Sequence, residues 1–501
     1  MTVLRPVPAF QGPLDSADPP TVETLGRTLI AHGFAGNAVL DALGPPLTQT
    51  RSHVRDDVPL YLRRLSARTA LNTLIKIFVL CQPVDDDAAA EAFAPLSLDD
   101  VARLGVIERG DAGVVARIRL SGCSGLLLAH DAYDPRGTTN RDHVLDVNPT
   151  TNTLISLTVR RRVRSALDVG TGCGVVALMA ARHSDRVVGV DTNPRALNYA
   201  VFNAALNGLD NVEFRQGSLF DPVYRERFDL IACNPPYVIS PESRYIFRDG
   251  DRRGHGLCEE VVRSAPEHLE SGGYATILCN WGIGAGEHWS APLRRWVAES
   301  KSDTWLLCSG TQDPLSYAAI WNRGPDAAAY RDALETWPAY HRELGFEKIG
   351  LGAIILRRRS TAGGWVRTDL LPDGPFEPDE TLIPRIFDAQ DRLAALPSDD
   401  ALLATACLPT NAHELHQVLT LRDGRYVVRD AEILLVAGLK FRGAVDPYTT
   451  HLLTRCNGQV TLEEIADQIA SRAPNDREEV RRATATIARR LISLGFLIPV
   501  N

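Results

Sequence analysis

The 501-residue sequence contains no run of about 20 apolar residues, so it offers no candidate membrane-spanning helix. Its nine cysteines are an odd number and form no Cys-x-x-Cys pair. That argues against a zinc site or a disulfide framework and for reduced thiols in a cytoplasm; no metal is expected. There is no basic excess either: 54 Lys and Arg stand against 62 Asp and Glu, a formal net charge of −8. A strongly basic nucleic-acid surface is therefore not evident, although a local patch is compatible with the average. Lysine is scarce (Lys76, Lys301, Lys348 and Lys440), which reads as base composition of the gene and not as function. The start, Met1 to Pro6, lacks a signal-peptide pattern. What is present is ordinary: 45% hydrophobic and 23% charged residues, in a chain long enough for two to four domains.

Against this background one turn stands out. The apolar run Phe228 to Cys233 reads as a strand, and it ends in Asn234-Pro235-Pro236-Tyr237. Such a turn suits the methylation of a planar, poorly nucleophilic nitrogen, whose lone pair is delocalised. The Asn234 side-chain oxygen and the carbonyl of Pro235 can accept N–H bonds from that nitrogen and aim its lone pair at a donor. Two prolines stiffen the turn and remove competing N–H groups. The Tyr237 ring can stack on a flat acceptor. Asn-Pro and Pro-Pro are also common turn dipeptides, so the motif needs company.

Company lies upstream. Ala166 to Asp168 and Val169 form an apolar strand, followed by Gly170-Thr171-Gly172-Cys173-Gly174 and an apolar helix start. Glycines there allow positive φ and close approach of backbone to a ligand. The next strand, Val187 to Val190, ends in Asp191, with Thr192 and Asn193 after it. An acid roughly twenty positions beyond a glycine turn is placed for ribose hydroxyls. The turn is G-x-G-x-G rather than the dinucleotide G-x-G-x-x-G. Asp168, two positions before the first glycine, would repel a pyrophosphate but suits the ammonium of a methionine moiety.

From Val144 to Arg359 the sequence resembles a class I S-adenosylmethionine-dependent methyltransferase, of the branch that holds the release-factor glutamine methyltransferases and amino-methylating nucleic-acid enzymes. The resemblance implies an α/β, doubly wound Rossmann-like sheet and S-adenosyl-L-methionine as cofactor. It implies cofactor contacts from Asp168, Gly170 to Gly174, Asp191, Thr192, Asn193, Gly217, Ser218, Leu219 and Asn234. It implies a catalytic turn at Asn234, Pro235, Pro236 and Tyr237. Ser218 stands where the family more often has Asp. The stretch Asn148 to Leu154 is similar to the polar loop that covers the cofactor.

Composition shifts suggest four segments. Residues 1–140 read as a helical, winged-helix-like substrate-recognition module: a loose arm to about residue 20, a helix with Leu25, Leu29 and Ile30 on one face, a helical stretch from Leu60 to Leu80, a short helix capped by Ser97, and a hairpin from Val114 to Ala129. Residues 141–360 are the methyltransferase core, with an amphipathic helix over Asn193–Asn207. Trp337-Pro338 is expected to punctuate a connection, and Tyr317 to Ile320 is too short to assign. Residues 361–438 read as a loop-rich connector, with short strands at Arg425–Val428 and Ile433–Val436. Residues 439–501 read as a small winged-helix-like domain with a Thr461–Glu464 capping box. That last domain is also similar to modules that present precursor peptides to tailoring enzymes.

The expected reaction is methyl transfer to a side-chain amide or similar planar nitrogen of a protein or peptide, including a ribosomally made peptide. The same turn serves an adenine or guanine amine in RNA or DNA, so nucleic acid stays open as a partner. A carboxyl or small-molecule acceptor and a non-catalytic cofactor-sensing regulator are further readings. Arg248, in the Gly- and charge-rich loop after the turn, and Trp281, at a strand end, are candidate substrate contacts. Surface solvation for the first and core packing for the second are the alternatives. No membrane partner is expected, and the sequence is silent on oligomeric state.

Overall fold

The computed structural model describes residues 10–45, 57–132, 140–324, 326–360, 364–372, 380–471 and 476–500. The chain divides into two compact units, residues 1–155 with 162–368, and residues 156–161 with 369–501.

The first unit is built on a sheet whose strands are β1 (Val163–Val169), β2 (Ser184–Asp191), β3 (Val212–Gln216), β4 (Phe228–Cys233), β5 (Leu269–Ile283), β6 (Ser302–Gln312), β7 (Lys348–Arg358) and β8 (Val366–Leu370). Their order is β8-β6-β7-β5-β4-β1-β2-β3. Strands β5, β4, β1, β2 and β3 pair in parallel, and β7 runs antiparallel to both β5 and β6. This is the doubly wound, Rossmann-like sheet expected of the core. The central strands β1, β2 and β4 are buried on both faces over their carboxyl-terminal halves, where apolar residues predominate. The order reverses beside β1, and the loops leaving the carboxyl ends of β1, β2, β3 and β4 converge there, the place where such sheets bind ligands.

Helices α1 (Val175–Ala181) and α2 (Pro194–Leu206) follow β1 and β2. Helix α2 matches the expected span within a residue at each end. Asn193 caps it, Pro194 starts it, and Gly208 at φ 64° follows its end. Helices α3 (Gly256–Ser264) and α4 (Ala291–Val297) flank β5. Between β6 and β7, at the same carboxyl rim, stands a helical pair, α5 (Pro314–Asn322) and α6 (Ala327–Glu343). Tyr317 to Ile320 thus belongs to a helix. Pro338 lies inside α6 instead of breaking the chain there.

The first 140 residues do not stand apart from the core. Two asparagines on α2, Asn198 and Asn203, and Asn207, which caps its end, tie them to it. Asn203 pairs with both the N–H and the C=O of Ala129 (2.7 and 3.0 Å), and Asn207 does the same with Leu127 (2.9 and 2.7 Å). Asn198 accepts from Leu14 N and donates to Leu14 O. Each amide supplies one donor and one acceptor, so it satisfies a strand residue as a neighbouring strand would. The expected helix near Leu25 spans Pro19–Ala31, but Ile30 points to solvent. The Leu60–Leu80 stretch is two helices, Val58–Arg64 and Ala70–Phe78, the second capped by Thr69. The single hairpin is two, Ile107–Gly110 with Gly113–Ala116 and Arg119–Cys123 with Leu126–His130. The start of the expected loose arm, residues 1–9, lies outside the described residues.

In the second unit the expected loop-rich connector contains a 14-residue helix, Leu382–Ala395, and the long strands His413–Arg422 and Arg425–Leu435. Pro384 in the first turn disguised the helix, and a helix start tolerates it. The two strands are largely exposed, so polar residues break up their apolar alternation. Pro375 and Pro378 lie outside the described residues. The closing strand Leu497–Val500 pairs with Ala406–Pro409, which joins residues 439–501 to the preceding segment in one unit. The Thr461–Glu464 capping box forms as read, and Gly495 at φ 83° ends the helix Arg477–Leu494.

Candidate active site

The carboxyl ends of β1 to β4 surround a cavity of about 440 Å³, within the usual range of small-molecule sites. Asp168, Gly170, Thr171, Gly172 and Cys173 line it from the β1–α1 turn; Asp191, Thr192 and Asn193 from the end of β2; Gly217, Ser218 and Leu219 from the end of β3; Asn234, Pro235 and Pro236 from the end of β4. Residues dispersed over some seventy positions thus share one wall.

The glycine turn holds its shape by named bonds. Gly170 and Gly172 have φ of 75° and 55°, a region that side-chain-bearing residues rarely adopt. Gly170 and Thr171 donate their N–H groups to Val190 O at 2.8 and 3.0 Å. The Cys173 carbonyl accepts from Asn203 Nδ2 at 2.9 Å. A Cβ placed on Gly172 would meet nothing within 4 Å, so the backbone there faces open space.

Two carboxylates flank this turn. Asp168 is buried, accepting from Thr171 Oγ1 at 2.7 Å and Ala177 N at 3.0 Å. Burial pushes its pKa up to about 7 despite those bonds. Asp191 accepts from Gly172 N at 2.8 Å through one oxygen and from Asn193 N at 2.9 Å through the other. Burial raises its pKa too, with the backbone bonds opposing. A cationic ligand group would restore both to the ionised state. Cys173 and Cys233 are buried, and burial raises both thiols, to about 12 for Cys173, so they pack and do not attack.

The Asn-Pro-Pro-Tyr turn abuts the glycine turn: a Cβ on Gly170 would come within 3.4 Å of the Asn234 carbonyl oxygen. Asn234 Oδ1 is buried and has no hydrogen-bond partner. Beyond the turn, Ile239 N donates to Tyr317 Oη at 3.0 Å and Ile239 O lies 2.8 Å from His341 Nε2, so helices α5 and α6 hold the outgoing chain. Asp249 accepts from Arg244 N and Tyr245 N, and Val238 N donates to Arg248 O, which folds the loop after the turn back over it.

Four expected site residues sit differently. Gly174 (φ 90°) starts α1 but is not in the cavity wall. Tyr237 lies just outside the wall, its hydroxyl bonded to Thr150 Oγ1 at 3.2 Å and its ring edge-on to Trp321. Arg248 is committed to a bidentate pair with Asp249 and lies over Trp337, so it does not reach out to an anion. Trp281 is wholly buried in the core, donating to Trp289 O at 2.8 Å, and is not in the cavity wall.

Sequence reasoning missed part of the wall. Arg141, His143, Val144, Leu145 and Asp146 line the cavity from the segment before the core, together with Asn148 and Thr151. Only the last two fall in the stretch singled out as a cofactor-covering loop. The signal for the others was weak, because they form neither a strand nor a helix.

Known proteins share these features. Residues 144–299 match the methyltransferase small domain family, and residues 31–117 match a domain of unknown function, DUF7059. The chain is 34% identical over 153 residues to a release factor glutamine methyltransferase of Xylella fastidiosa, covering 27% of this chain and 55% of that protein. It is 33% identical over 122 residues to a putative protein N5-glutamine methyltransferase of Methanocaldococcus jannaschii (23% and 61%). It is 37% identical over 164 residues to a ribosomal protein uL3 glutamine methyltransferase of Bradyrhizobium diazoefficiens (30% and 48%). The chain spans about half the length of the curated relatives it matches.

Proposed function

We propose that this protein, whose residues 144–299 match the methyltransferase small domain family, is an S-adenosylmethionine-dependent methyltransferase that acts on a planar amide nitrogen of a protein or peptide. The observation that carries this reading is Asn234 Oδ1, buried without a partner in a residue of the cavity wall. A buried polar atom left unpaired costs about 1–3 kcal/mol, and an incoming N–H donor would recover that cost. An amide –NH2 has two such donors. Asn234 Oδ1 would accept one and the Pro235 carbonyl the other, which fixes the plane of the amide and leaves its lone pair pointing at the donor methyl.

The chain's residues fit S-adenosyl-L-methionine, which when bound supplies an electrophilic methyl group on a sulfonium. Asp168 would meet the cationic amino-acid end and Asp191 the ribose hydroxyls, both from carboxylates whose burial favours a bound cation or hydroxyl donors over solitude. The open face of Gly172 lets the backbone come close. Thr192, Asn193, Gly217, Ser218 and Leu219 complete the wall, and the Ser218 hydroxyl is suited to hydrogen-bond an adenine edge where a carboxylate is commoner. Tyr237, just outside that wall, would flank the acceptor. No base is required, since the methylated nitrogen can lose its proton afterwards. His255 is not a candidate: Nδ1 accepts from Gly282 N, and burial lowers its pKa.

The three named relatives modify glutamine, one pair of names pointing to a release factor and a ribosomal protein. They support a glutamine side chain of a protein as the acceptor. The nine free cysteines support action in a reducing cytoplasm. Among the described residues no helix is long and apolar enough to cross a membrane.

The test is incubation of the protein with methyl-labelled cofactor and a lysate of its own source. The expected label resists nuclease, yields to protease and maps to a glutamine. Label in nuclease-sensitive material, or no transfer at all, overturns the proposal.

A further inference from the structure

The cavity wall that sequence motifs did not announce, residues 141–148, has no secondary structure over most of its length, yet it is pinned along that length. At its centre is Asp131, a mostly buried carboxylate just past the strand Leu126–His130. Asp131 Oδ2 accepts from Val144 N at 3.0 Å, while Asp131 N donates to Val144 O at 3.1 Å. The same carboxylate accepts from Arg195 Nε (3.0 Å), Arg195 Nη2 (2.5 Å) and Tyr199 Oη (2.6 Å), all three on α2. Six residues before Tyr199, the cap residue Asn193 donates from Nδ2 to Asp142 O at 2.9 Å. Further along, Asp146 accepts from Ser121 Oγ at 2.7 Å.

These bonds join two walls of the cavity. Helix α2 begins three residues after Asp191, so Arg195 and Asn193 are fixed relative to the carboxylate proposed for the ribose. Through Asp131 and Asp142 they fix Val144 and its neighbours opposite. Burial alone would raise the Asp131 pKa, but the bonds from Arg195, Tyr199 and Val144 hold it below the ordinary carboxylate value. The carboxylate therefore stays ionised, and an ionised acceptor with a bidentate arginine is the strong, directional form of this contact. Neither Asp131 nor Arg195 lines the cavity.

We infer that Asp131 and Arg195 are positioning residues that clasp the 141–148 wall against α2 and so preform the cofactor cavity. This rests on the reading of the cavity as a site for S-adenosyl-L-methionine. The clasp sets cofactor affinity and leaves the methyl-transfer geometry at Asn234 untouched, because none of its bonds reaches the Asn-Pro-Pro-Tyr turn.

The test uses the full chain and S-adenosylhomocysteine as the calorimetric probe. Asp131→Asn and Arg195→Ala should each weaken binding about tenfold or more, the loss expected for a charge-assisted bond. Arg195→Lys, which keeps the charge but not the fork, should fall between Arg195→Ala and the wild type. With the acceptor fraction of the lysate, the KM for the cofactor should rise in the same order while kcat at saturating cofactor stays within about threefold; a general loss of folding would not produce that split. In the unliganded wild type the Val144 amide should already exchange slowly with solvent, a readout that needs no variant. Unchanged affinity in folded Asp131→Asn or Arg195→Ala, or a rapidly exchanging Val144 amide, overturns the inference. A wild-type chain that does not bind S-adenosylhomocysteine at all instead overturns the reading on which it rests.

Discussion

The N–H of Gly172 donates to Asp191 Oδ2 at 2.8 Å, across the gap between the β1 and β2 loops. One carboxylate thus supports the glycine turn and retains lone pairs for a ligand. Asp191→Ala removes both functions. We expect it to weaken S-adenosylhomocysteine binding by about 100-fold, the equivalent of one or two charge-assisted hydrogen bonds. Titration calorimetry checks this, and an affinity within threefold of the wild type would refute the assignment.

Asn234 tests the other half of the site. Its side-chain oxygen has no partner in the unliganded protein, so Asn234→Ala removes nothing that holds the fold. Cofactor affinity should change little, while turnover should fall on the order of 10²-fold or more, as when an orienting group at a reacting centre is deleted. Single-turnover transfer of label separates the two quantities. Equal turnover in the variant would sink the mechanism.

The site was legible from sequence where chemistry constrains local backbone. Gly170 and Gly172 sit after a strand in a turn that few residue types tolerate, and Asp191 and Asn234 end or directly follow strands at the spacing of their motifs. Asp131 was not legible: it lies in no motif, and its partners Arg195 and Tyr199 are 64 and 68 positions away. Asn203 and Asn207 were equally silent, since an asparagine on a helix normally faces water, and only the packed strand Leu126–His130 explains them. Arg248 and Trp281 misled for a related reason. A loop arginine and a strand-end tryptophan look available until Asp249 and the Trp289 carbonyl are seen to occupy them.

The correction at Trp281 has a measurable consequence. The indole fills space beside Gly350, where an added Cβ would approach the ring to 2.3 Å. Trp281→Ala should therefore cost about 3–5 kcal/mol of stability by cavity formation. Trp281→Phe should cost less, retaining much of the packing and losing the bond to Trp289 O. Denaturant unfolding gives both values. The folded Trp281→Phe protein should keep the wild-type KM for its acceptor; a raised KM would return Trp281 to the substrate pocket.

Asp168 makes the unliganded protein sensitive to pH in a defined direction. Its pKa is about 7 in the native chain against an ordinary value of 3.8. Below the ordinary value the group is neutral in both states and contributes nothing. Between the two values the unfolded chain has released a proton that the native chain keeps, so stability falls as pH rises, and the loss is complete above the native pKa. At about 1.4 kcal/mol per pKa unit the whole effect is a few kcal/mol. Asp191, whose pKa is raised in the same direction, adds to the slope. The unfolding midpoint of the unliganded wild type relative to that of Asp168→Asn should therefore decline from pH 5 to pH 8, since His130, His143, His255 and His341, whose pKa values burial lowers, give an opposing slope that both proteins share. Cofactor binding should run the opposite way. The ionised carboxylate is the form that meets a cationic amino group, so affinity for S-adenosylhomocysteine should rise from pH 6 to pH 8 in the wild type and stay nearly level in Asp168→Asn. A wild-type affinity that falls over this range would show that Asp168 binds as the neutral acid and would remove it from the cation site.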